Sequence, residues 1–215
     1  MDELELLKRK WQNQNQDLPR LTFDEIYRML LKKSSSIVKL ILFISIAEII
    51  FWTCLAFLVP ESSQKFTKDL GLNQVMWIAN IVYYTVCILF IFIFYQNYRN
   101  ISTTDSVKDL MRNIIRTRKT VKYFIIYNIV SMITMLAAIN VFYYAHQDLV
   151  FELMVKDYGV LSTMDKHQFI SIFLWTQVII GVVVIALILL FYRLVYGILL
   201  RRLKKNYKEL EKIES

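Results

Sequence analysis

Four long apolar stretches, separated by polar and charged connections, organise this chain. They cover residues 37–59, 75–95, 121–144 and 169–192. Each exceeds the roughly 20 helical residues needed to cross about 30 Å of hydrocarbon. A helix satisfies its own backbone hydrogen bonds, which lipid cannot do for it. The alternating segments of about ten residues that build a membrane β-barrel are missing. The pattern therefore predicts an all-α integral membrane protein with four transmembrane helices.

A second pattern precedes the first and third stretches. Thr22-Phe-Asp-Glu25 has the spacing of a capping box. Phe23, Ile26, Tyr27, Leu30 and Leu31 then fall on one face of a helix. Val107, Leu110, Met111, Ile114 and Ile115 repeat that spacing, with Thr103, Thr104 and Asp105 upstream as caps. Both stretches begin with Val-Lys, at Val38-Lys39 and Val121-Lys122. The second and fourth each carry an early Trp, Trp77 or Trp175, and a terminal Phe-Tyr, Phe94-Tyr95 or Phe191-Tyr192. An amphipathic helix followed by a membrane hairpin is thus used twice, a parallel repeat. Such a helix lies at the inner membrane interface, or its stripe packs on the other stripe or on a partner. Ser34-Ser-Ser36 reads as a polar hinge between interface helix and span. Leu4, Leu7 and Trp11 mark a further stripe near the start. Leu200, Leu203, Tyr207 and Leu210 step by 3, 4 and 3, a short helical seam at the end. The organisation expected is 1–36 cytoplasmic amphipathic helices, 37–95 first hairpin and 96–120 cytoplasmic amphipathic helix. It continues as 121–192, the second hairpin with outer segment 145–168, and 193–215, a cytoplasmic helix. No cleavable signal peptide is expected, since the polar start leads into a span without a small-residue cleavage site.

Charge sets the orientation. Lys and Arg number 7 in residues 1–36, 2 in 60–74, 6 in 96–120, 2 in 145–168 and 7 from Arg193 onward. By the positive-inside rule both termini are cytoplasmic. The net charge of +8 is then a topology signal, and no nucleic-acid partner is needed to explain it. Trp52, Trp77, Trp175 and the tyrosines suit aromatic belts.

Chemistry-bearing residues are few. Glu48 is the only carboxylate deep in a span, about 16 Å beyond Ile37 at the helical rise. A lone charge there costs several kcal/mol, roughly 3 or more, so the neutral acid is expected, hydrogen-bonded to Thr85, Ser131, Thr134 or Gln177 at similar depth. It reads as an interhelical anchor or, alternatively, a proton or cation site. Asn80, Asn128 and Asn140 read as packing contacts. Cys54 and Cys87 read as small buried hydrophobes. His146 and His167 alone do not make a metal site. HExxH, CxxC, GxSxG and Walker motifs are missing. No catalytic residue, metal or cofactor is expected. The partners expected are the lipid bilayer and another membrane protein or a second copy, bound through the three cytoplasmic stripes. The alternative is a small oligomeric transporter or ion-conducting protein using Glu48.

The opening Met1-Asp-Glu-Leu-Glu-Leu-Leu-Lys-Arg-Lys-Trp-Gln12, with 21–29 and 32–39, resembles uncharacterised four-span inner-membrane proteins of flavobacteria and their relatives. That resemblance implies a bacterial inner-membrane location. Some such proteins carry a carotene-oxygenase label, but iron oxygenases need several histidine or carboxylate ligands, and with only two histidines this chain argues against that label. The same opening is similar to the cytoplasmic start of membrane proteins regarded as sigma-factor regulators. Here that start spans only about 36 residues ahead of the first long apolar stretch and has no zinc-binding His and Cys set.

Overall fold

The computed structural model describes residues 22–158 and 165–214, and the regular structure there is all α-helical. The helices are α1 (Phe23–Phe57), α2 (Glu61–Asp69), α3 (Asn73–Ser102), α4 (Val107–Ala145), α5 (Gln147–Tyr158) and α6 (Lys166–Glu214). Among them α1, α3, α4 and α6 are long and apolar enough to cross a membrane. Each packs against its two neighbours in the order α1, α3, α4, α6, and α6 returns to α1. Short connections make successive long helices antiparallel, as in other four-helix bundles.

Helix starts follow from local chemistry. Thr22 Oγ1 accepts from the Glu25 amide at 3.4 Å, and the Glu25 carboxylate accepts from the Thr22 amide at 2.8 Å. These hydrogen bonds hold the Glu25 carboxyl below its usual pKa. At α4 the cap is Ser106, whose Oγ accepts from the Asp109 amide at 3.1 Å. Thr103, Thr104 and Asp105 were the expected caps. Instead they belong to the end of α3 and the turn, where the Thr103 amide bonds back to Arg99 O. Gly71 has φ +73° in the turn between α2 and α3, a left-handed conformation that an L side chain resists.

The expected hinge at Ser34–Ser36 does not form. α1 runs unbroken for 35 residues and α4 for 39, so each amphipathic segment and its span are one rod. Nothing in 34–36 breaks a helix, and Ser34 is fully buried with its hydroxyl accepting from Asn206 of α6 at 3.0 Å. α6 runs for 49 residues, about 70 Å at the helical rise. That is more than twice a hydrocarbon core, so the bundle continues well past one membrane face.

One core serves both parts. Ile41, Phe94, Phe124, Ile188 and Tyr192 form it within the apolar stretches. Leu30, Ile101, Leu110, Ile114, Leu203 and Leu210 continue it beyond them. The amphipathic stripes thus pack on each other and not on a flat interface. Ile26, Tyr27, Leu31, Val107, Met111, Leu200 and Tyr207 are half-buried against that core, whereas Phe23 and Ile115 face outward. Leu4, Leu7 and Trp11 lie outside the described residues. At the other end α2 and α5 close the bundle through Phe66, Leu70, Tyr143, Val150 and Phe169. An ion pair between Lys166 and Asp148 ties α5 to α6 there.

Candidate functional site: a buried carboxyl and an open polar groove

Glu48 projects from the last third of α1 into the bundle and is 9% exposed. Its partners come from α6. Tyr192 Oη donates to Oε1, and Tyr196 Oη is hydrogen-bonded to Oε2 at 3.2 Å. Tyr196 also meets Ser45 Oγ at 3.1 Å, and Ser45 Oγ donates to the Ile41 carbonyl at 2.9 Å. Ser45 and Tyr196 are fully buried and Tyr192 nearly so. Trp52, one turn further along α1, also interacts with the carboxyl. Tyr83 and Cys87 of the neighbouring helix α3 lie near it as well. Among the described residues, no Lys, Arg or His pairs with it.

Hydrogen counting fixes the state that this geometry fits. Ser45, Tyr192 and Tyr196 carry three hydroxyl hydrogens between them. The chain from Ile41 O through Ser45, Tyr196 and Glu48 to Tyr192 has four contacts. With an ionised carboxylate, one contact lacks a hydrogen. A proton on Oε2 supplies the fourth, turns Tyr196 toward Ser45, and leaves Ser45 to donate to Ile41 O. Every contact is then filled without a buried charge.

None of the four expected partners of Glu48 reaches it. Thr85 is exposed on the outside of α3 and donates to its own Ile81 carbonyl at 2.7 Å. Gln177 lies beside Tyr143. It is fifteen residues from Tyr192 on one straight helix, about 22 Å away. Ser131 and Thr134 lie on α4, in a groove open to the outside of the bundle. Tyr192 and Tyr196 escaped the sequence reading because the Phe191-Tyr192 pair looked like the end of a span. The run from Leu194 to Leu200 beyond Arg193 is apolar, and it is the only signal that the helix could sit further along.

The groove between α3 and α4 has a volume of about 720 Å³ and is lined by Asn80, Tyr83, Tyr127, Ser131, Thr134 and Met135, among others. Asn80 and Thr134 are exposed, and Ser131 is half-buried. Among the described residues, none of these three side chains makes a hydrogen bond. Asn128 differs. It turns inward, accepts from Tyr83 Oη at 2.7 Å and donates to Phe124 O at 2.8 Å. Asn140 donates to Leu136 O, while its Oδ1 is buried with no partner among the described residues.

Of the two cysteines, Cys87 is buried and Cys54 faces outward, against the expectation that both pack inside. Trp77 and Trp175 face outward as belt residues do, but Trp52 is half-buried against the core. His146 stacks on Phe142 with ring centroids 4.2 Å apart, and His167 lines a separate outer groove. A family model built on a domain of unknown function, DUF8845, matches residues 24–215. The chain belongs to the DUF8845 family. No curated protein and no solved structure matches it. The matched region takes in all six helices described, including the rods beyond the apolar stretches and the short α2 and α5, so the family unit is the whole bundle and not one hairpin.

Proposed function

We propose that this DUF8845 protein is a non-enzymatic, multi-pass protein of the bacterial inner membrane that binds another membrane protein as a subunit, assembly factor or regulator. The observation that carries the reading is the α3–α4 groove. Asn80, Ser131 and Thr134 open outward from apolar helices with no hydrogen-bond partner among the described residues. Polar groups left unpaired against hydrocarbon are unfavourable. A partner span with a Ser, Asn or Gln at that height satisfies them, as polar side chains do between membrane helices. The cytoplasmic stripes contribute less than their sequence suggests. Leu30, Leu110, Ile114, Leu203 and Leu210 are already buried within the bundle. Phe23, Met29 and Ile115 remain available on that end.

Gentle solubilisation and pull-down are expected to recover one stoichiometric partner, a different protein or a second copy. Asn80→Leu together with Thr134→Val is expected to release it while the chain stays folded. A clean monomer across several mild detergents overturns the reading.

The charge pattern supports an orientation with both termini in the cytoplasm. Reporter fusions after Asn15 and Lys212 are expected to read cytoplasmic, and fusions near Ser63 and Tyr158 periplasmic. Any reversal breaks the span assignment.

A second reading, a proton or cation site at Glu48, is favoured by one observation. The carboxyl is joined to Tyr192, Tyr196 and Ser45 in a continuous hydrogen-bond chain. Such chains can hold and relay a proton.

A further inference from the structure

Where α1 and α6 leave the spans, a second cavity of about 700 Å³ opens between them. Lys32, Lys33, Arg202 and Lys205 line it, together with Met29, Ser36, Ile37 and Asn206. All four cationic side chains are exposed. Lys205 approaches Glu209 at 3.9 Å, a long contact on the solvent side. Among the described residues, Lys32, Lys33 and Arg202 have no carboxylate in ion-pair reach. Four positive charges thus converge on one cavity with almost no internal neutralisation. The floor is held in place by the buried hydrogen bond from Asn206 to Ser34.

The surface below the cavity says what kind of anion fits. Following α1 toward the span, Leu40 and Phe43 lie on the same face as Ser36 and are exposed. On α6, Ile198 and Leu194 lie one and two turns from Arg202 on its face and are also exposed. Exposed apolar side chains of α1 and α6 thus continue from the cationic cavity along both helices. A free phosphate would use only the cations. A phospholipid uses both, with its phosphate among the cations and its acyl chains against those apolar side chains. Basic pockets between membrane helices at the cytoplasmic side bind anionic headgroups in this way.

We infer that Lys32, Lys33, Arg202 and Lys205 form a binding site for the phosphate headgroup of an anionic phospholipid of the inner leaflet. The inference rests on the cytoplasmic placement of this end of the bundle, which the reporter fusions test separately, and on no protein partner. The full chain is purified in mild detergent and titrated with phosphatidylglycerol and with phosphatidylcholine, and lipid-bound species are counted by native mass spectrometry. Arg202→Ala with Lys205→Ala is compared with Arg201→Ala and Lys204→Ala. The second pair removes the same charge from neighbouring exposed positions outside the cavity. The cavity pair is expected to weaken phosphatidylglycerol binding roughly 30-fold, the effect of two basic residues near an anionic surface. The outer pair is expected to change it little. Equal loss from both pairs overturns the site in favour of diffuse charge attraction. Equal affinity for both lipids overturns it too. Inorganic phosphate is the third arm. If it binds the lipid-free protein as tightly as phosphatidylglycerol does, the lipid assignment is wrong and the cavity is a soluble-anion site.

Discussion

Glu48→Lys is expected to be the most damaging single change in the bundle. It places an ammonium among Tyr192, Tyr196 and Ser45, where among the described residues no carboxylate is left to pair with it. An unpaired ammonium in a span costs about 3 kcal/mol on insertion scales. Glu48→Leu removes the acceptor of the buried Tyr192 hydroxyl and breaks the chain at Tyr196. Its cost is roughly 1 kcal/mol, rising to about 2. Glu48→Gln is expected to fold like the parent protein. Its amide oxygen accepts from Tyr192, and its Nε2 donates to Tyr196 as the neutral acid does in the four-hydrogen arrangement. The order in surviving folded protein on heating in detergent is therefore Gln, then Leu, then Lys. The carboxylic-acid C=O band in the infrared spectrum of the parent protein is expected to vanish in Glu48→Gln. A Leu variant more stable than the parent would remove the anchor role. Flux in proteoliposomes separates the second reading. If the parent protein moves protons or solute and Glu48→Gln does not, Glu48 is a transport site; normal flux in the Gln variant removes that role.

The next largest effect is expected in the rod beyond the spans. Leu110 is fully buried where α4 meets the core formed with Leu30 and Leu203, while Ile115 on the same helix is 39% exposed. Leu110→Ala leaves a cavity and is expected to cost about 2–5 kcal/mol. Ile115→Ala is expected to stay within about 0.5 kcal/mol, as surface changes do. Thermal loss of helicity and amide exchange across residues 107–120 measure both. A partner-binding stripe would give the reverse ranking in a pull-down, with little change in stability from either variant. Similar destabilisation from the two would mean that α4 is not packed as described.

The helical class and the four apolar rods were legible because they depend on nearest-neighbour quantities. Run length against bilayer thickness, helical spacing and cap residues are all written locally. Among the described residues each half is a capped long rod, a short helix and a second long rod, with caps at Thr22 and, not foreseen from the sequence, Ser106. The amphipathic stripes were legible as stripes, but what they face was not. A helix with an apolar face satisfies it equally well on lipid, on a partner or on its own chain. Only the closing of α1, α4 and α6 around Leu30, Leu110 and Leu203 decides among these.

Glu48 shows the same division more sharply. Its isolation in an apolar run was visible in the sequence, and so was its need for a hydrogen-bonding partner. Its partners were not, because the sequence sets depth along each helix separately and says nothing of how far one helix slides past the next. In the bundle, Tyr192 reaches Glu48 while Gln177 is carried about 22 Å away. The slide is set by the joint packing of Ile41, Phe94, Phe124 and Tyr196, a property of four helices together. The α3–α4 groove and the cationic cavity arise likewise between helices. Their residues are far apart along the chain, and only packing brings Lys32 beside Arg202 or Asn80 beside Ser131.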